Sequence, residues 1–120
     1  MLLIDANVIL RYLLNDHEDM AQKARAAVIG GTFTTPEVLA EVVYVLRGVY
    51  QAEREEISEW LTCLLDEVVV ENRQAIRYAL CVYGETKLDF VDCLMIGYHR
   101  ILGHHVFTFD KKLNRMLLNE

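Results

Sequence analysis

The sequence predicts an α/β fold in which a parallel sheet is flanked by helices. Short apolar runs alternate with longer amphipathic stretches, and two of the apolar runs end directly at an aspartate. The 120 residues contain one proline and no Ser/Gly-rich linker, repeat or low-complexity tract. Strands that alternate with helices pair in parallel through right-handed crossovers. We therefore expect a single domain over residues 1–120 with a short sheet of about four strands.

The first half of the chain predicts two strands and three helices. Residues 1–4 are a short apolar run, typical of a buried strand, and helical spacing follows over about residues 7–14. A second helix is expected to close at Gly30 and Gly31, before the short strand TFTT. The triplet Thr35-Pro36-Glu37 then supplies a cap, a proline at the first helical position and an acidic first turn. A third helix should run from there to about residue 50.

The second half repeats the alternation. The segment EREEISEWLTCLLD predicts an amphipathic helix, EVVVE a third strand, and residues 72–83 a further helix. Asp89 is expected to cap an apolar helix that stops at Gly103. The segment HVFTF then predicts a fourth strand, and a last helix follows Asp110.

Composition limits the class of protein. Hydrophobic residues make up 53% of the chain, which argues against disorder, and no apolar run approaches the roughly 20 residues of a membrane span. With no signal-peptide pattern at the N-terminus, we expect a cytoplasmic protein. The net charge of −6 argues against nucleic-acid binding through a broad basic surface. Three cysteines without a CxxC pattern are expected to be buried free thiols, namely Cys63, Cys81 and Cys93.

Several carboxylates stand where a ligand site is expected. Asp5 and Asp110 follow the first and fourth predicted strands, and parallel strands bind ligands beyond their carboxyl ends. Glu41 lies at the border of an apolar helix stripe, where a solvated edge explains it equally well. Asp89 and Asp92 open the apolar helix, and a cap role for Asp89 with a ligand role for Asp92 fits better than two structural roles.

Convergence of four acids requires a counter-charge. If Asp5, Glu41, Asp92 and Asp110 share one site, each carboxylate raises the pKa of the others, and a divalent cation removes that penalty. No cysteine or histidine joins the set, so magnesium or manganese suits the site better than zinc.

The sequence resembles the PIN-domain nucleases, and within them the VapC-type toxins of bacterial toxin–antitoxin pairs. The similar segments are LLIDANVILRYLLND, TTPEVLAEVVYVL and LDFVDCLMIGYHRILGHHVFTFDKKL. The resemblance implies a three-layer α/β/α fold and a magnesium- or manganese-dependent endoribonuclease. It also implies a homodimer that acts on RNA and is neutralised by a small antitoxin protein.

The resemblance also assigns roles to residues. It implies that the catalytic acids are Asp5, Glu41, Asp92 and Asp110, with Asp5, Asp92 and Asp110 as metal ligands. Asn7 and Thr108 correspond to the polar residues that support such sites. Asp89 is an additional acid, and a shifted register would make it the ligand in place of Asp92. For the substrate, the candidate phosphate contacts are Arg11, Lys111 and Lys112, although a solvated surface role is equally consistent with each.

Two alternatives belong to other classes. Phosphoaspartyl phosphatases also begin with an aspartate after the first strand, but they need a second aspartate two residues on, where this chain has Asn7. A PIN-like domain that serves only as a binding or scaffold module would lack catalysis. Retention of all four acids argues against that alternative.

Overall fold

The computed structural model describes residues 1–118, which form three strands and seven helices. The strands are β1 (Leu2–Leu3), β2 (Thr32–Thr34) and β3 (Val68–Val70). The helices are α1 (Ala6–Leu14), α2 (Glu18–Gly30), α3 (Pro36–Gly48), α4 (Arg54–Leu64), α5 (Arg73–Glu85), α6 (Phe90–Leu102) and α7 (Lys111–Leu118). The predicted α/β class is confirmed. The last two residues of the predicted domain lie outside the described range.

The sheet is parallel throughout and has the order β1-β2-β3. On one face the residues of β2 and β3 are buried, including the polar pair Thr32 and Thr34. Because successive strand residues point to opposite faces, Phe33 and Val69 lie on the other side, where they stay 36% and 51% exposed. They are in register with each other and with Leu3 of β1, which is 59% exposed.

The prediction of a fourth strand is wrong for the described residues. Residues 103–110 have no regular secondary structure, and Phe107 and Phe109 are 88% and 90% exposed. Both ends of this segment are engaged by the neighbouring helices. The N–H of His104 donates to the carbonyl of Tyr98 at the end of α6, and the carbonyl of Thr108 accepts from Asn114 of α7. An alternating pattern favours a strand only where a partner strand is available.

Helix boundaries follow their predicted caps in most places. The Thr35 hydroxyl accepts from the N–H of Val38 at 3.2 Å, and Pro36 opens α3 as predicted. Gly103 ends α6 in the left-handed region, with φ at +74°, and its N–H donates to the carbonyl of His99. Asp89 occupies the cap position of α6, but its side chain makes no capping hydrogen bond.

Arg54 fixes the segment that leads into α6. Its guanidinium donates to the carbonyl of Tyr83 at 3.0 Å and to the carbonyl of Leu88. On the other side of that segment, the N–H of Leu88 donates to the Thr86 hydroxyl at 3.2 Å, and this hydroxyl donates to the carbonyl of Val82. The start of α6, with the two aspartates it carries, is therefore held to α4 and α5.

The cysteines depart from the prediction. Cys93 is buried, and burial raises the pKa of its thiol to about 11, but Cys63 and Cys81 are exposed on the outer sides of α4 and α5. Both helices are amphipathic, and their buried faces are filled by larger aliphatic side chains such as Leu61 and Leu80. Within residues 1–118, no helix is both long and apolar enough to cross a membrane.

Candidate functional site

Asp5 lies at the junction of β1 and α1. Its backbone is extended, and its Oδ1 accepts a hydrogen bond from the N–H of Val8 at 3.1 Å, so the carboxylate caps α1. The side chain is exposed and pays no penalty for burial. Capping therefore gives this aspartate a structural role, and its exposure leaves it open to a ligand.

Asp110 begins α7 in a similar way. Its Oδ1 accepts from the N–H of Leu113 at 2.8 Å. The Thr108 hydroxyl accepts from the N–H of Asp110 at 3.0 Å and so orients the peptide that carries this carboxylate. The pair predicted as acid and supporting residue is thus connected directly.

Asp92 is the half-buried acid of the set and lies in the first turn of α6. Burial raises its pKa, and the negative charges of Asp110 and Asp89 raise it further. The charge of Asp110 therefore acts on Asp92, although Asp110 follows it by 18 positions in the sequence. The charge of Asp89 acts on the same carboxyl from three positions earlier in the chain.

Glu41 is exposed on α3, which packs against α6. Tyr44 follows it by three residues, so the two side chains lie on the same side of the helix. Burial and the charges of Asp89 and Asp92 raise the pKa of the Tyr44 phenol, so Tyr44 faces the acids of α6. Sequence reasoning did not single out Tyr44, and its i+3 spacing from Glu41 was the available signal.

Asn7 and Arg11, the residues of α1 predicted to act beside Asp5, differ in their contacts with the rest of the protein. Asn7 is exposed in the first turn of α1 and lines a groove with Val8 and Arg11. Arg11 is already engaged, because it donates to Asp16 at 2.9 Å and to the Tyr50 hydroxyl at 3.2 Å. Its charge is therefore partly satisfied within the protein.

The four predicted acids do not form one compact cluster. Within the described part of the chain, no group of three Asp, Glu, His or Cys side chains is close enough to hold a metal ion. The donor set still fits magnesium, which takes one or two protein carboxylates and keeps several waters. Convergence of Asp5 and Glu41 on the Asp92–Asp110 pair stays a prediction.

Comparison with known proteins identifies the family. The PIN domain family model matches residues 2–117, so the chain belongs to the PIN-domain family. A curated relative, the VapC ribonuclease of Aquifex aeolicus (strain VF5), is 28% identical over 129 residues, which covers 97% of this chain and 92% of the relative. No solved structure matches the chain significantly. The predicted resemblance to PIN domains of the VapC type is confirmed.

Proposed function

We propose that the protein is a metal-dependent endoribonuclease of the VapC type, the toxin of a toxin–antitoxin pair. The observation that carries the proposal is the match of the PIN domain family model to residues 2–117, and the electrostatic interaction of Asp92 with Asp110 supports it. The similarity to a curated VapC ribonuclease over nearly the whole length of both chains supports RNA as the substrate.

In this proposal Asp92 and Asp110 would hold Mg²⁺ or Mn²⁺, with Asp5 as the third ligand. When bound there, such an ion would supply a lowered pKa for a water and a positive charge beside the scissile phosphate. Glu41 orients the attacking water or accepts its proton, and in-line attack leaves a 5′-phosphate and a 3′-hydroxyl. Asn7 and Thr108 support the carboxylates, Thr108 through its contact with the N–H of Asp110.

The partners follow from the same proposal. RNA contacts from Arg11, Lys111 and Lys112 stay predictions, and of these Arg11 already has Asp16 as a partner. A small antitoxin protein is expected to neutralise the enzyme. A homodimer and a cytoplasmic location also stay predictions.

The test is cleavage of structured RNA by Asp5→Asn with magnesium present. Asparagine caps a helix about as well as aspartate, so the fold should persist while the ligand charge is lost. Cleavage should fall by a factor of about 100 or more, as expected when a metal ligand is removed. Asp19→Asn, at an exposed acid in the first turn of α2, is the matched control and should cleave normally. Wild-type cleavage by Asp5→Asn would disprove the assignment.

A non-catalytic PIN-like scaffold is the second candidate, since membership of the PIN-domain family establishes the fold and not the activity. Manganese decides between the two. A ligand that binds only the folded state raises the melting temperature, so millimolar Mn²⁺ should stabilise a nuclease and leave a scaffold unchanged.

A further inference from the structure

A groove of about 330 Å³ separates the segment before α6 from helix α7. Lys87 and Leu88 line it on one side, and Lys112, Arg115 and Met116 line it on the other. Three of these five lining residues are cations and none is an acid. The chain has a net charge of −6, so the groove is a positively charged patch on a negatively charged protein.

The three cations lack partners among residues 1–118. Lys87, Lys112 and Arg115 are exposed, and none forms an ion pair or hydrogen bond with another described residue. Arg73 and Arg77, by contrast, both bind Asp66. Like charges around one groove repel each other, and an anion placed in the groove removes that repulsion.

Both walls of the groove lie close in sequence to acids of the candidate site. Lys87 precedes Asp89 by two residues, and Lys112 follows Asp110 by two. Lys112 and Arg115 are three residues apart on α7, so they lie on one side of that helix. The groove is therefore formed by the two segments of the chain, before α6 and at the start of α7, that also carry Asp89 and Asp110.

We propose that this groove binds the phosphodiester backbone of RNA beside the position of cleavage. The inference rests on the proposed nuclease function, because it places the scissile phosphate at Asp92 and Asp110. Neighbouring phosphates of the same strand then meet the three cations. Leu88 is buried and Met116 half-buried, so they provide an apolar floor along which lysine and arginine stems can pack. A nucleic acid suits both the carboxylate site and the groove, because its phosphates are regularly spaced. One phosphate would lie at the metal ion proposed for the carboxylates, and neighbouring phosphates would lie in the groove.

The experiment separates binding from cleavage. Affinity for a short fluorescein-labelled single-stranded RNA is measured by anisotropy in EDTA, over a series of salt concentrations. The variants are Lys87→Gln, Lys112→Gln and Arg115→Gln, and the matched control is Arg77→Gln, at an exposed arginine of α5 outside the groove. Each groove variant should weaken binding at least about threefold and reduce the slope of log affinity against log salt by about 0.7. The control should bind as the wild type does, and all four should keep the wild-type melting temperature.

Three results are decisive. Groove variants that bind RNA with wild-type affinity and salt slope overturn the proposal. Variants that lose binding of an acidic polyglutamate peptide while RNA binding stays intact overturn it in favour of a protein ligand. If the wild type binds RNA through the groove but does not cleave it, the nuclease function fails while groove binding stands. The two hypotheses can therefore fail separately.

Discussion

The guanidinium carbon of Arg54 lies 3.7 Å from the ring centroid of Tyr83, directly over the aromatic face. The same side chain donates to the carbonyls of Tyr83 and Leu88. One residue of α4 therefore holds the end of α5 and the segment that begins α6. The position of Asp92 depends on that contact, since Asp92 lies in the first turn of α6.

Replacing Arg54 with methionine tests this contact. The change removes two hydrogen bonds and a cation–π contact, so unfolding free energy should fall by about 2 kcal/mol. Arg54→Lys should lose less, because it keeps the charge over the ring. Arg47→Met is the control, since Arg47 donates one hydrogen bond to the carbonyl of Ala52 and should lose at most about 1 kcal/mol. Urea titrations measure all three, and equal losses for Arg54→Met and Arg47→Met would contradict the prediction.

Asp92→Asn and Asp89→Asn decide which aspartate of α6 is the ligand. Because the pKa of Asp92 is raised, its charge disfavours the fold at neutral pH, and Asp92→Asn should melt at a higher temperature than the wild type without metal. It should also lose RNA cleavage and the stabilisation by Mn²⁺. Asp89→Asn should keep both. The reverse result would make Asp89 the ligand, and thermal melts with a cleavage assay distinguish the two.

The hydrogen bond of the Tyr12 hydroxyl predicts that the protein loses stability at alkaline pH. This hydroxyl donates to the Glu67 carboxylate, and this bond, with burial, raises the pKa of the phenol from 10.0 to about 12. The contribution of this hydrogen bond to the free energy of unfolding is complete below pH 10. It is lost as the pH rises to about 12, where the phenol of the folded protein also loses its proton. Tyr12→Phe should therefore be less stable than the wild type at pH 7 by about 1 kcal/mol. The gap should narrow above pH 10, and a constant gap in urea titrations would show that packing causes it.

Gly97 and Gly48 form a matched pair of glycines in helices. A Cβ at Gly97 would lie 2.4 Å from the carbonyl oxygen of Ala75, because α6 crosses α5 closely there, whereas a Cβ at Gly48 would meet nothing within 4 Å. Gly97→Ala should lower the unfolding free energy by about 2 kcal/mol or more. Gly48→Ala should leave it unchanged or raise it by up to about 1 kcal/mol. A Gly97→Ala protein as stable as the wild type would disprove the close crossing.

Thr32 and Thr34 offer a second pair, both buried on the same face of β2. The Thr34 hydroxyl donates to the carbonyl of Ile4 at 3.1 Å, while the Thr32 hydroxyl has no partner among the described residues. Thr32→Val removes an unsatisfied group and should stabilise the protein by about 1 kcal/mol. Thr34→Val should destabilise it by a similar amount. Thermal melts of the two variants should therefore move in opposite directions.

Most of the secondary structure could be predicted because its signals are local. Thr35 and Pro36 begin α3 where a cap and a proline indicate a start, and Gly103 ends α6 in the left-handed region that glycine tolerates. The fourth strand was predicted wrongly from the alternation of residues 105–109. That pattern contains no information on whether a neighbouring strand is free to pair, and hydrogen bonds to α6 and α7 hold both ends of the segment instead.

The candidate site was predictable only in part. The aspartates at the starts of α1 and α7 could be located, since each follows an apolar run and precedes a helix. The closeness of Asp92 to Asp110 depends on how the chain returns after Gly103, and periodicity does not describe that path. The exposure of Cys63 and Cys81 depends on which face of α4 and α5 the larger aliphatic side chains occupy.

The uncovered side of the sheet, where Leu3, Phe33 and Val69 stand in one row, determines how unfolding is best followed. Dyes that fluoresce on hydrophobic surfaces will bind this row of residues in the native protein. Their fluorescence will therefore be high before the unfolding transition begins. The single tryptophan, Trp60, lies on α4 and not in the sheet, and its intrinsic emission follows unfolding without an added dye.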